Sequence, residues 1–215
     1  MSRILILGGH GKIALLLAPL LAARGDEVTG VIRNPDHADD VAAAGATSVV
    51  ADLESLDVHG LAELVRGHDA VVWSAGAGGG VPERTYAVDR DAAIRSIDAA
   101  QEAGVPRYVM VSYLGAGPDH GVPEDDSFFA YAESKAAADE RLRGSGLDYT
   151  ILAPGPLTLD DPTGLIDVAD PGDGRVARAD VAAVAAAVLA DPSTGRRTIA
   201  FGSGATPIAD AVRGA

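Results

Sequence analysis

Residues 3–14 read RILILGGHGKIA, and their reading decides the fold. A short run of Ile and Leu stops at two glycines, and a helical apolar pattern starts a few residues later. A strand that turns this sharply into a helix presents free backbone N–H groups and the positive end of the helix dipole to whatever lies beyond it. In open parallel sheets that is where the pyrophosphate of a dinucleotide rests. The spacing is Gly8-x-x-Gly11-x-x-Ala14, with Ala14 in the third position, a size change that the dinucleotide fingerprint allows. Gly8, Gly9, His10, Gly11, Lys12 and Ile13 are therefore candidate cofactor contacts.

The rest of the chain repeats the alternation of short β-rich runs and longer helical stretches that marks a parallel α/β sheet. Strands are expected at Arg3–Leu7, Glu27–Ile32, Thr47–Ala51, Ala70–Ser74, Tyr108–Ser112 and Tyr149–Ala153, all nearly continuous apolar runs suited to burial on both faces. Helices are expected at 11–24, 36–44, 57–67, 84–103, 127–144 and 180–190, the first kinked by Pro19 and the last opened by Asp180 as N-cap. Residues 154–175 are rich in Pro, Gly and Asp and read as loop, with a short strand at Leu165–Val168. A strand at Thr198–Phe201 and a short helix from Pro207 complete the pattern. The expectation is one domain over 1–215, a doubly wound Rossmann fold with strand order 3-2-1-4-5-6.

The second strand ends Val31-Ile32-Arg33-Asn34, with no acid until Asp36. An acid there would bond the ribose 2′-hydroxyl of NAD, whereas an arginine suits the 2′-phosphate of NADP. Arg33 thus favours NADP over NAD. Asp52, after the third strand, is placed either to bond an adenine amino group or to cap the next helix, and Leu53 belongs to the same contact set. After the fourth strand comes Ser74-Ala75-Gly76-Ala77-Gly78-Gly79-Gly80, where Ala75 and Gly76 let a cofactor approach the backbone.

Composition sets bounds. The chain of 215 residues has no cysteine, which removes disulfides, thiolate metal sites and thiol nucleophiles. The net charge of −14 argues against nucleic acid and anionic membranes as partners. MSRILILGG has no signal-peptide pattern, and the longest apolar stretch, residues 13–23, is too short for a membrane span. A cytoplasmic protein acting on a small molecule, as monomer or homodimer, is expected. No metal site is expected either, because the five histidines are scattered. The absence of a G-x-S-x-G elbow removes a serine hydrolase of that type.

Only two lysines occur, Lys12 in the glycine turn and Lys135 in YAESK, residues 131–135. Four residues apart on a helix, Tyr131 and Lys135 share a face. They are either a reacting pair or ordinary helix surface. With GGHGKIA, VIRN, SAG and YVMVS, this segment resembles the short-chain dehydrogenase/reductase superfamily. LDYTILAPGPLT, RADVAAVAAAVL and GATPIADAV are similar to its atypical NAD(P)-binding branch, related to NmrA-like proteins and biliverdin/flavin reductases.

The resemblance implies a Ser–Tyr–Lys site, matched by Ser112, Tyr131 and Lys135. It also implies that Pro154, Gly155, Pro156 and Leu157 run along the nicotinamide end, and that Lys135 holds the nicotinamide ribose. Two departures stand out: YAVDRDAAIRSID lacks the superfamily's helical asparagine, and Ala153 replaces the usual arginine. The leading expectation is an NADP-dependent oxidoreductase acting on a small carbonyl, hydroxyl, quinone or flavin compound. In it Lys135 would bring the Tyr131 phenol from about 10 towards neutrality. A non-catalytic NADP sensor is the rival reading. A sugar-nucleotide epimerase fits less well, because little sequence follows the sixth strand.

Overall fold

The computed structural model describes residues 1–79, 81–168 and 174–214. The expected loop at 169–173 and Gly80 lie outside them. Six strands follow the expected plan: β1 (Arg3–Leu7), β2 (Glu27–Ile32), β3 (Thr47–Val50), β4 (Ala70–Trp73), β5 (Arg107–Val111) and β6 (Asp148–Pro154). Two short strands, β7 (Leu157–Thr158) and β9 (Val176–Ala177), pair with each other in parallel. The other three are β8 (Leu165–Asp167), β10 (Arg197–Ser203) and β11 (Thr206–Pro207).

The main sheet runs β11-β8-β10-β6-β5-β4-β1-β2-β3. The expected order 3-2-1-4-5-6 is therefore present, extended by β10, which lies parallel to β6, and by the antiparallel pair β8 and β11 at the edge. The switch point falls between β1 and β4, where Leu7 is level with both Val31 and Trp73.

The helices are α1 (Lys12–Ala23), α2 (Ala38–Ala43), α3 (Val58–Val65), α4 (Pro82–Thr85), α5 (Ala93–Ala103), α6 (Phe129–Arg143), α7 (Arg178–Ala190) and α8 (Ile208–Gly214). A π-helical segment, Tyr86–Ala92, joins α4 to α5. Alternation along each strand splits the interior in two. Ile4, Ile6, Val72 and Val109 pack with α1, α7 and α8 on one face. Leu5, Leu7, Trp73 and Met110 pack with α3, α5 and α6 on the other. Helices on both faces explain why the strands are apolar throughout rather than alternating.

Pro19 stands inside α1, as expected. One expectation needs correction. Asp180 does not cap α7: the helix begins at Arg178, and the fully buried Asp180 carboxylate instead accepts from Thr163 N, Thr163 Oγ1 and Gly164 N. It pins the 163–164 turn to the helix, a use of its charge that the N-cap pattern does not reveal.

The glycine turn is set by backbone packing. A Cβ on Gly9 would stand 2.6 Å from Gly30 Cα, and one on Gly8, at φ +90, would stand 2.6 Å from Ala75 Cα. Gly9→Ala is expected to destabilise by about 1–3 kcal/mol, as overpacking does. At about 2–4 °C per kcal/mol for a chain of this size, thermal unfolding should show a clear fall in Tm. Gly117→Ala, with nothing within 4 Å of the added methyl group, should leave it unchanged.

Candidate active site

A cleft of about 600 Å³ opens at the carboxyl edge of the sheet, over the switch point. Gly8, His10, Gly11, Lys12 and Ile13 line it from the first turn. Nothing caps the first turn of α1: Gly11 at the N-cap has no side chain to offer, and no acid sits there. Its N–H groups are thus directed to the cleft, as an anion would require. Ala75 and Gly76 line the floor, Arg33, Asp52 and Leu53 the far wall, and Leu157 the opposite end. Gly9 is absent from the lining because it faces Gly30. Asp52 accepts from Glu54 N at 3.1 Å, so it shapes a turn while facing the cleft.

The lining carries Lys12, Arg33, Arg84 and Arg178 against Asp52 and Glu54, a cationic excess in a chain of net charge −14. Glu54 Oε1 accepts from Arg33 Nη1 at 2.9 Å and from Arg84 Nε at 3.3 Å. Arg84 also donates to Ala77 O at 2.7 Å, and Arg178 to Thr158 O at 2.8 Å. His10 and His37 stack at 3.6 Å, with His10 Nε2 2.9 Å from Asp40 Oδ2. These groups give the cleft cationic side chains and free backbone donors, which suit an anionic ligand.

Ser112, Tyr131, Lys135, Pro154, Gly155 and Pro156 do not line the cleft. Three of them belong to a buried polar cluster instead. Tyr131, Lys135 and Asp139 succeed one another at four-residue intervals along α6. Lys135 is 1% exposed; its Nζ donates to Val111 O at 2.5 Å and lies 6.0 Å from the Tyr131 ring centroid. Ser112 Oγ donates to Asp139 Oδ2 at 2.6 Å, leaving Asp139 Oδ1 buried with no partner among the described residues. From the π-helical segment, buried Asp89 accepts from Ala77 N at 2.9 Å. Tyr113 and Phe128 pack on Tyr131 with ring centroids 5.5 and 5.1 Å away.

Burial sets the protonation tendencies of this cluster. It lowers Lys135, and the Asp139 and Asp89 carboxylates oppose that. It raises both aspartates, with Lys135 pulling each back down. Tyr131 moves up as well, first through burial and then through Asp89 and Asp139, contrary to the expected drop towards neutrality. The phenol is a firm proton holder, not a poised base. Ultraviolet titration should therefore show that Tyr131→Phe removes a phenol ionising above the ordinary value of about 10. Loss of a phenol that ionises near pH 7 would contradict this geometry.

Arg84, Arg178, Glu54, His37, Asp89 and Asp139 escaped the sequence reading. Asp139 could have been found by following the Tyr131–Lys135 spacing one turn further. Asp89 lies in the very stretch searched for an asparagine. Arg84 belongs to no local pattern and Arg178 only opens the RADVAAVAAAVL segment, and the tertiary fold brings both to the cleft.

The pattern of the NAD(P)H-binding family matches residues 8–192. A curated relative in Bacillus subtilis, the uncharacterized sugar epimerase YhfK, is 34% identical over 98% of this chain and 99% of its own. A solved Bacillus halodurans structure, whose name places it among NAD-dependent epimerases/dehydratases, is 33% identical, with TM-score 0.90 over 100% of both chains. The oxidoreductase ylbE of Lactococcus lactis is 25% identical, with TM-score 0.87 over 99% of this chain and 95% of its own.

Proposed function

The chain belongs to the NAD(P)H-binding family, and from that premise we propose an NADP-dependent oxidoreductase acting on a small carbonyl or hydroxyl compound, or a quinone or flavin, through Ser112, Tyr131 and Lys135. The observation that carries the proposal is the burial of Lys135 one helical turn from Tyr131. An ammonium in a dry interior is costly unless it is compensated. A lysine of ordinary helix surface would extend into water instead. The oxidoreductase name of the Lactococcus lactis protein supports the same class.

In this reading the first turn of α1 would hold the pyrophosphate, and Arg33 the 2′-phosphate. Pro154, Gly155, Pro156 and Leu157 would flank the nicotinamide end, while Asp52 and Leu53 would meet the adenosine end. The bound nicotinamide would supply or accept the hydride. Tyr131, which keeps its proton at neutral pH, is suited to donate it to a carbonyl oxygen as negative charge grows there. Its upward shift leaves it protonated, and so able to act as the proton donor. Ser112 would orient the reacting oxygen by turning its hydroxyl proton towards it from Asp139. Lys135 would offset the charge left on the tyrosine.

Arg33 is engaged by Glu54, so the two should act oppositely on cofactor choice. A charge-assisted hydrogen bond is worth roughly 1.5–3 kcal/mol, about ten- to hundredfold in affinity. Arg33→Ala should weaken NADP by that factor and NAD little, whereas Glu54→Gln should tighten NADP. Equal losses for both cofactors in calorimetric titrations would remove Arg33 from the site.

A screen of NADPH oxidation against quinones, flavins, aldehydes and ketones tests the activity. Tyr131→Phe should keep NADPH affinity and lose about 10²–10⁴-fold in turnover. Full turnover in that variant would refute the Ser–Tyr–Lys site. The YhfK name favours a second reading, epimerisation, in which NADPH undergoes no net oxidation. A sugar isomerised with the cofactor unchanged would select it, and binding with no chemistry on any substrate would select a sensor.

A further inference from the structure

We infer that Asp139 is a positioning residue of this site: it fixes the Ser112 hydroxyl and supplies the counter-charge for Lys135. The inference rests on the proposed Ser–Tyr–Lys reading and adds a fourth member to it.

Lys135 has few sources of compensation. Its Nζ meets one carbonyl, Val111 O at 2.5 Å, and the Met110 sulfur at 3.9 Å. No carboxylate comes within 4.0 Å of it among the described residues. One carbonyl and one thioether leave a buried ammonium short of partners. The two acids that act on it through space are Asp139, on its own helix, and Asp89, on the π-helical segment packed against α6. Arg143 acts on Asp139 and Arg84 on Asp89. Tyr131 and Tyr113 complete the titratable groups around the cluster.

Asp89 has another duty: its carboxylate holds Ala77 N and so shapes the loop after β4. Asp139 has none of that kind. It is 1% exposed and, among the described residues, is bonded only by Ser112 Oγ, with its other oxygen unpartnered. A carboxylate kept merely to staple α6 to β5 would be a costly staple, since a buried polar atom left without a partner loses its hydration for nothing. A carboxylate that compensates the neighbouring ammonium and fixes the serine is accounted for by both duties.

The composition offers a direct test, because the chain has two lysines. The full chain labelled with ¹³Cε-lysine should give two signals, assigned with Lys12→Arg, and each can be titrated with pH. Asp139→Asn keeps the shape and can still accept from Ser112, but removes the charge. An opposite charge favours the charged form, so its removal should lower the Lys135 midpoint by about one pH unit or more, with Lys12 unmoved. Glu140→Gln, on the exposed side of the same helix, should move neither signal.

An unshifted Lys135 signal in folded Asp139→Asn would overturn the inference. Should that variant not fold, Ser112→Ala replaces it. Without the Ser112 donor, Asp139 ionises less readily, so the Lys135 midpoint should again fall, and no change would again overturn the inference. With menadione as acceptor, the alkaline limb of NADPH oxidation should move down with the Lys135 midpoint in Asp139→Asn. A limb that stays in place while the lysine signal moves would also overturn it. A wild-type protein that turns over no acceptor would end the oxidoreductase reading, and the lysine titration would then decide this one alone.

Discussion

Backbone lies on backbone where the first strand ends, and both fold and cleft depend on that contact. Gly8 approaches Ala75 after β4, and Gly9 approaches Gly30 within β2, at separations that leave no room for a Cβ. Side chains at either point would push the turn outward and pull α1 away from the sheet. With glycines there, the carboxyl ends of β1, β2 and β4 close around one turn, and the uncapped end of α1 faces the cleft. The same packing that completes the core therefore leaves a row of backbone donors with an anion-sized space before them.

Charge is distributed against the average. The chain is strongly acidic, yet Lys12, Arg33, Arg84 and Arg178 converge on one cleft. Beside it, the cluster around Lys135 keeps three ionisable groups nearly out of water. The cleft offers positive charge to a ligand, while the cluster compensates charge internally. These are different uses of electrostatics at neighbouring places. The first depends on long side chains held at the rim by Glu54 and backbone carbonyls. The second depends on burial, which raises acids and lowers lysines, with each pulling the other back.

Much of this was legible in the sequence. RILILGGHGKIA announced strand, turn and helix, because local chemistry alone dictates that order. The six parallel strands were legible because burial on both faces leaves an unbroken apolar run. The edge was harder. The strand at β8 was expected, but its antiparallel pairing with β10 and β11, and β11 itself, join residues far apart in the chain and come only from the tertiary fold. Asp180 misled because an acid in a first helical turn looks the same whether it caps its own helix or a distant turn. Lys135 was recognised by spacing, but its burial and its acidic neighbours come from packing between α6, β5 and the π-helical segment. That is why the direction of the Tyr131 shift could not be read from a pair of residues.

The paired strands β7 and β9 carry one more consequence. Leu157 is level with Val176, and a Cβ on Gly155 would collide with the carbonyl oxygen of Gly174. The chain therefore departs from the cleft at Thr158 and returns at Val176 through a single clamped neck, with Arg178 just beyond it donating to Thr158 O. Closing a loop costs only slowly more as it lengthens. Within the excursion β8 is paired into the main sheet and the 163–164 turn is tied to Asp180, so length can change at the exposed residues 159–162 while the neck holds both ends in register. The scaffold thus separates the region free to diversify from the region that must stay fixed, so relatives can come to admit different guests without rebuilding the sheet.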